Sequence, residues 1–377
     1  MAGRSSEPAP NAPPAVPLRV MVVDDSPTQR RLLAHHLSGD GRIELVASAA
    51  DCAEAAELLP KARADVLLLD IEMPGCDGLT FLRHLMGERP MPVVILSSLA
   101  AAGSAAALEA LALGAVDCLE KAAGSYARGP GGLVQRLVSA AAATPALATR
   151  RLKLARAARA AARKVSAVAS SSGHWERISL VGASTGGVAA LEEMLAVFPA
   201  DGPAVVVAQH MPPVYVERIA ERFERSFLPR VRIARHGERI VPGHVYLAPG
   251  KGSHVVLQPL LPLTLGVAPV QGPRGHSPSV DRLFASALPH AAAITAVVLS
   301  GMGRDGATGM LDLRALGART LAQDARTSLI YGMPGAAAAL GAAEELLPPG
   351  QIGERLLSLC APGARPVVVR RRTLGSG

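Results

Sequence analysis

Short, wholly apolar runs separated by amphipathic stretches recur twice along this chain, and that rhythm leaves few folds open. In the first third, Val20–Val23, Ile43–Ala47, Val66–Leu69, Val93–Leu96 and Val116–Leu119 read as strands. Thr28–Leu37, Cys52–Ala62, Gly78–Met86 and Ala102–Leu113 read as the helices between them. Strands apolar on both faces and alternating with helices predict a parallel sheet covered on both sides. A second series predicts strands at Ile178–Val181, Ala204–Ala208, Val231–Ala234, His244–Leu247, Ile294–Leu299 and Arg319–Ala322. Its helices are expected at Val188–Val197, Val214–Arg225, Val280–Leu288, Ala307–Leu316 and Gln351–Leu359.

The fold class expected is therefore α/β, with two doubly wound parallel-sheet domains over residues 18–124 and 176–360. A chain of 377 residues is long enough for two such cores. The Ala-, Ser-, Gly- and Arg-rich stretch 125–175 reads as a linker, and 1–17 and 361–377 read as disordered tails, the second of them basic. No uninterrupted apolar stretch approaches the roughly 18 residues of a membrane span, and the first residues lack the apolar block of a signal peptide. A cytoplasmic protein without membrane insertion is expected, with a monomer as the default state. Cys52, Cys76, Cys118 and Cys360 are scattered without metal-ligand spacing, so free thiols are expected.

The formal charge of +8 has a location. No acidic residue stands between Glu120 and Glu176, and Arg150, Arg151, Lys153, Arg156, Arg159, Arg163 and Lys164 fall within that gap. The excess belongs to the linker. No aromatic residues interleave with it, and the second domain has no helix-turn-helix signature, so nucleic acid is not the expected partner.

Chemistry in an open parallel sheet gathers at the carboxyl ends of the strands. Asp24 and Asp25 follow the first strand, Asp70 the third and Ser97 the fourth, and Lys121 lies beyond the fifth. Three carboxylates brought together repel one another unless a cation sits between them, and a hard cation with oxygen ligands, Mg²⁺, suits Asp24, Asp25 and Asp70. A carboxylate beside it can attack a phosphoryl group, with Ser97 and Lys121 holding the new phosphate oxygens. The competing reading of each single Asp is a helix cap, Asp25 before the first helix for example.

The second series carries Ser184 in the turn Gly182-Ala183-Ser184-Thr185-Gly186-Gly187, between a strand and a helix. Glycines permit a tight turn, and the helix N-terminus offers unpaired N–H groups to an oxyanion. A serine needs a base, and His210 follows the next strand; the base needs an orienting carboxylate, and Asp305 follows the strand at 294–299. The same turn also reads as a phosphate- or dinucleotide-binding loop, although no acidic residue ends a second strand at the expected spacing. His254 and His276 are further candidates by type, with a structural histidine as the default reading, and Met211 and Met302 read as packing.

The string Val-Val-Asp24-Asp25-Ser-Pro, the run Leu-Leu-Asp70-Ile-Glu-Met-Pro-Gly, Ser97 and Lys121 resemble the receiver domains of two-component response regulators. That resemblance implies a flavodoxin-like domain phosphorylated on Asp70. Val-Gly-Ala-Ser184-Thr-Gly-Gly, Gln-His210-Met-Pro, Tyr-Leu-Ala-Pro-Gly with His254, His276-Ser-Pro-Ser-Val-Asp281, Gly-Met-Gly-Arg-Asp305-Gly-Ala and Ala-Gln-Asp324 with Tyr331-Gly-Met-Pro resemble CheB, the chemotaxis protein-glutamate methylesterase family. The resemblance spans both domains. It implies a Rossmann-like catalytic domain in which Ser184, His210 and Asp305 hydrolyse glutamyl methyl esters on the cytoplasmic helices of chemoreceptors, and deamidate glutamines as well. Thr185 and the Met302 backbone N–H would support the oxyanion, and ester hydrolysis itself would need no cofactor. It further implies a chemotaxis histidine kinase as phosphodonor, Mg²⁺ for receiver phosphorylation, and a receiver that covers the active site until Asp70 is phosphorylated.

Three positions depart from the two patterns. Ala122 replaces the usual proline after the lysine, Cys118 stands where an aromatic is usual, and Ser277 stands where arginine is common. Two other functions stay open at this level: an idle catalytic half serving as a receptor- or kinase-binding module, and an active esterase of a chemosensory pathway unrelated to swimming.

Overall fold

The computed structural model describes residues 16–97, 105–121, 126, 132–143, 175–250, 252–259, 262–270 and 277–362. The linker between 144 and 174, most of both tails, Ala122 and His276 lie outside them.

The first sheet contains β1 (Leu18–Val23), β2 (Ile43–Ala49), β3 (Val66–Asp70), β6 (Val93–Ser97) and β7 (Asp117–Glu120), with a small hairpin of β4 (Glu72–Met73) and β5 (Cys76–Asp77) beyond β3. Its strand order is β2-β1-β3-β6-β7, every pair parallel, as expected for a flavodoxin-like domain. The helices α1 (Pro27–Ser38), α2 (Cys52–Ala62), α3 (Gly78–Glu88) and α4 (Ala105–Leu113) follow the expected places. Local chemistry explains their starts: Ser26 caps α1 by accepting the Gln29 N–H at 3.3 Å, with Pro27 at the first helical position. Asp25, the residue weighed as a cap, is exposed one position earlier.

A fifth helix, α5 (Leu133–Ala141), stands where the sequence suggested only linker. Leu133, Leu137 and Ala140 recur at helical spacing and are buried with Val20, Val22, Leu68 and Val94 of the sheet. Burial of that stripe makes a helix of a segment whose Ala and Gly content reads as a spacer. The packing of the first domain thus runs past residue 124.

The second sheet joins β8 (Ile178–Ala183), β9 (Val205–Gln209), β10 (Arg230–Ile233), β11 (His244–Leu247), β14 (Ile294–Val298), β15 (Arg319–Gln323) and β16 (Glu345–Leu347). The order β10-β11-β9-β8-β14-β15-β16 is parallel throughout. The hairpin of β12 (Ser253–Leu257) and β13 (Leu265–Pro269), the strand β16 and the helix Met333–Ala339 were not expected from sequence. From β8 the chain moves outward on one side through β9 and returns on the other at β14, so the crevice lies at the carboxyl ends of these three strands.

The two domains touch through β7, α4 and α5. Leu329 and Ile330 of the second domain are buried in the same cluster as Leu133 and Leu137, and Met302 packs against it. The Ser139 hydroxyl of α5 donates to Met302 Sδ at 2.6 Å.

Cys118 and Cys360 are free thiols, whereas Cys52 is disulfide-bonded, against expectation. Proximity in the fold decides such pairing, and spacing along the chain does not display it. No helix among the described residues is long and apolar enough to cross a membrane.

Candidate functional site

Two sites stand at strand ends, one in each sheet. In the first, Asp24, Asp70 and Ser97 are fully buried and Asp25 is exposed at the rim. One carboxylate oxygen from each of Asp24, Asp25 and Asp70 falls within a 4.8 Å cluster. Lys121 is held over them by its backbone N–H, which donates to the Ser97 carbonyl at 2.7 Å. Its Nζ lies 2.8 Å from Asp24 Oδ2 and 2.5 Å from Asp70 Oδ2.

The remaining oxygens are tied down locally: Asp24 Oδ1 accepts from Ser26 N–H and Asp70 Oδ1 from Glu72 N–H, both at 2.9 Å. Burial pushes the Asp70 carboxyl up, against the pull of Lys121 and the Glu72 N–H, and the Asp24 charge adds to the rise. Burial works against the Lys121 ammonium too, but its pairing with the Asp24 and Asp70 carboxylates outweighs it and holds its pKa up. Asp24 Oδ2 is close to the ammonium yet has no aligned hydrogen bond. An all-oxygen, net anionic donor set with one buried oxygen unsatisfied suits a hard divalent cation such as Mg²⁺.

In the second sheet, Ser184 directly follows β8, His210 follows β9, and Asp305 stands in the loop after β14. Backbone bonds stitch the three ends together: Ser184 N–H donates to the Ser300 carbonyl at 3.1 Å and His210 N–H to the Ala183 carbonyl at 2.9 Å. His210 Nε2 lies 2.8 Å from Asp305 Oδ2, with both side chains nearly buried.

Asp305 is further held by residues that sequence reasoning did not single out. Its Oδ2 accepts the Val280 N–H at 2.8 Å, and its Oδ1 accepts the Asp281 N–H at 2.9 Å and the Ser279 hydroxyl at 3.2 Å. Burial raises the Asp305 carboxyl, yet the bond and charge of His210, with the N–H groups of Asp281 and Val280, hold it well below the usual carboxylate range. Ser279 also caps the helix Val280–Ser286. His254 Nδ1 in turn accepts the Ser279 N–H at 3.1 Å, the structural role that was its default reading. Burial, aided by the Arg282 charge, lowers the His254 pKa. The signal for this support was present in the string Ser-Pro-Ser279-Val280-Asp281, but only the carboxylate's position gives it meaning.

The glycines of the serine turn are used up by protein. A Cβ on Gly182 would lie 2.2 Å from Val280 Cγ1, and one on Gly186, at φ 78°, would meet Leu329 Cβ at 2.6 Å and Ser300 Oγ at 2.8 Å. One on Gly187 would meet Gln209 Oε1 at 2.5 Å. Space that a phosphate cradle would leave for its ligand is filled, which argues against the dinucleotide reading. A Cβ on Gly301 would fall 2.8 Å from Ser184 Cβ, so the loop after β14 approaches the serine closely.

Of the departures from pattern, Cys118 is placed where it touches the other domain, with its Sγ 2.9 Å from the Tyr215 hydroxyl. Burial pushes this thiol up to about 12, so it stays protonated and able to donate. Ser277 Oγ accepts the Gly252 N–H at 2.6 Å.

Comparison with known proteins follows the same division. The response regulator receiver domain family matches residues 20–126, and the CheB methylesterase family matches residues 179–356. A protein-glutamate methylesterase/protein-glutamine glutaminase of Rhizobium johnstonii is 41% identical over 357 residues, covering 92% of this chain and 98% of its own length. One from Xanthomonas oryzae pv. oryzae is 41% identical over 356 residues, again covering 92% of this chain and 98% of its own. The crystal structure of the Thermotoga maritima CheB methylesterase catalytic domain is 32% identical, covers 48% of this chain and 98% of its own, and has a TM-score of 0.47.

Proposed function

This chain belongs to the CheB methylesterase family and carries a response regulator receiver domain, and from that premise we propose how its residues divide the work. The protein is a protein-glutamate methylesterase and protein-glutamine glutaminase under phosphorylation control. Ser184 Oγ attacks the ester carbonyl of a methylated glutamyl side chain while its proton passes to His210. With Nε2–H bonded to Asp305, Nδ1 is the nitrogen that takes that proton. The carbonyl electron pair moves onto oxygen, where the N–H groups of Met302 and Thr185 face it. Its return expels methoxide, which leaves as methanol with the proton from His210. Water, activated by the same histidine, then hydrolyses the acyl-enzyme and frees Ser184. A glutamine amide presents the same carbonyl with a poorer leaving group, so ammonia release runs by the same steps.

The observation that carries this reading is Asp305. A buried carboxylate with each oxygen bound by two donors, one of them His210, is built to hold an imidazole in one orientation and to stabilise its charged form.

In the receiver, Asp70 takes the phosphoryl group, with Ser97 and Lys121 on its oxygens. Asp24, Asp25 and Asp70 would hold Mg²⁺, which when bound neutralises the incoming phosphate charge. The phosphodonor is a chemotaxis histidine kinase. The substrate is a set of cytoplasmic chemoreceptor helices, so the reaction belongs in the cytoplasm. Met302 and Ile330 are packed against the receiver, which supports a receiver that restricts the site until phosphorylation loosens the contact.

Methanol release from methylated receptor membranes tests both halves, with and without a small phosphodonor and Mg²⁺. Release is expected to vanish in Ser184→Ala and to lose its response to phosphodonor in Asp70→Asn. Normal phosphorylation at Asp70 without release from any receptor would favour the binding-module reading.

A further inference from the structure

One side chain outside the three polar residues of the serine site governs the turn that carries Ser184. Gln209 ends β9, one residue before His210, and is only 7% exposed. Its Nε2 donates to the Ser184 carbonyl at 2.9 Å and more loosely to the His210 carbonyl at 3.4 Å. Both partners are acceptors only, which settles the amide with its nitrogen toward them. The Ser184 carbonyl receives a second hydrogen bond, from the Gly187 N–H at 2.8 Å. Gly186 lies between them at φ 78° and ψ −3°, the left-handed third position of a type II turn.

Gln209 Oε1 is buried and has no hydrogen-bond partner among the described residues. An orphaned buried amide oxygen loses its hydration without a replacement bond and so destabilises the fold. A side chain kept at that expense is explained better by what its nitrogen holds than by a gain in stability.

What the nitrogen holds is a peptide plane. A trans peptide carries its C=O and N–H on opposite sides. Two donors on the Ser184 carbonyl therefore turn the Thr185 N–H away from buried Gln209, toward the open side of the turn. That N–H has no acceptor among the described residues. The next peptide is pinned as well, because the Ser300 hydroxyl donates to the Thr185 carbonyl at 2.9 Å. The N–H thus aimed stands just ahead of the helix Gly187–Leu195, where backbone dipoles favour negative charge.

We propose that Gln209 is a positioning residue for ester hydrolysis: by clamping the Ser184 carbonyl, it aims the Thr185 N–H at the oxyanion formed when Ser184 attacks. This rests on the reading of Ser184 as nucleophile.

The test uses the full-length protein with phosphodonor, Mg²⁺ and methylated receptor membranes. Gln209→Leu removes the donor together with the orphaned oxygen at similar volume, so its melting temperature is expected to hold or rise. Gln209→Glu keeps the shape and replaces the donor with an acceptor. In both, kcat is expected to fall about ten- to a hundredfold with KM within about twofold, because an oxyanion donor acts in the transition state and not in the ground state. Affinity for a boronic acid that forms a tetrahedral adduct on Ser184 is expected to fall by the same factor. Folded variants, phosphorylated normally, that keep kcat within about twofold overturn the proposal, as does a rise in KM at constant kcat. A Ser184→Ala control separates the two claims. Full activity there overturns the nucleophile and the positioning role together, whereas unaffected Gln209 variants beside a dead Ser184→Ala overturn the positioning role alone.

Discussion

Asp305→Asn tests the serine site most severely, because the structure specifies what an amide would lose there. Each carboxylate oxygen is met by two donors: Oδ2 by His210 Nε2 and the Val280 N–H, Oδ1 by the Asp281 N–H and the Ser279 hydroxyl. An amide NH₂ placed at either position confronts a backbone N–H, of Val280 or of Asp281, and forfeits that hydrogen bond. At about 1.5–3 kcal/mol for a bond to a charged group, the loss is a sizeable part of the 5–15 kcal/mol that typically holds a domain together. If the NH₂ faces His210, it also donates to Nε2 and forces the proton onto Nδ1, the nitrogen required as base. Replacing this carboxylate by an amide in other serine triads costs about 10⁴ in kcat, and a loss of roughly 10³–10⁴ is expected here.

The pH dependence follows from the sign of the shift. The Asp305 carboxyl is held below its usual value, with burial overcome by His210 and the backbone N–H groups. Its contribution to stability is therefore complete above the unfolded value near 4 and is lost as pH falls through the folded one, which lies lower. The deficit in melting temperature of Asp305→Asn should be widest near neutrality and narrow below about pH 4. Methanol release and thermal melting across pH measure both effects. A variant within about tenfold of wild-type kcat, or a deficit that persists unchanged into acid, would refute the assigned role.

Three further substitutions probe separate parts of the molecule. Gly301→Ala places a methyl 2.3 Å from Met333 Sδ and 2.8 Å from Ser184 Cβ; the displaced nucleophile should lose about a hundredfold in kcat while Asp70 phosphorylates normally. Lys121→Met leaves Asp24 and Asp70 buried without their cation, so the receiver is expected to lose about 3–5 kcal/mol, part of it restored by Mg²⁺ in a melting assay, and phosphodonor should no longer raise methanol release. Ser139→Arg forces a long cation against Met302, 2.6 Å from the present hydroxyl; release without phosphodonor should rise several-fold, and an unchanged basal rate would show that this contact does not restrain the enzyme.

Much of this was legible because a parallel strand buried on both faces must be apolar throughout. Val20–Val23 and Val66–Leu69 are fully buried, so the runs read directly as strands. The residues at their ends, Asp24 and Asp70, then stood out as polar groups with no reason to be there except chemistry. The same logic located Ser184 and His210. The misses share another character. Helix α5 has nine residues, and its buried Leu133 and Leu137 sit within a longer stretch rich in Ala, Gly and Ser. Strand β16 has three residues, too few for any period to show. Gln209 looks like an ordinary polar end to a strand, and its meaning lies in reaching Ser184, 25 residues earlier in the chain. Cys118 was visible as a departure, but only the fold supplies Tyr215 as its partner.

The placement of the interface relative to the active site decides which substitutions can separate regulation from chemistry. Met302 packs against the receiver and adjoins Gly301, on which a Cβ would fall 2.8 Å from Ser184 Cβ. Ile330, also buried under the receiver, donates its N–H to the Ser300 hydroxyl at 3.0 Å, and that hydroxyl donates to the Thr185 carbonyl. Met302 and Ile330 are therefore each at most two steps from Ser184, and substituting either disturbs access and geometry together. Ser139 belongs to α5 and bonds to the loop through Met302 Sδ. A change there pushes on the contact from the receiver's side and leaves the Ser300 bonds in place. If Ser139→Arg raises the basal rate without altering kcat in the phosphorylated protein, the receiver acts by covering the site. If kcat of the phosphorylated protein shifts as well, the contact also bears on how Ser184 is held.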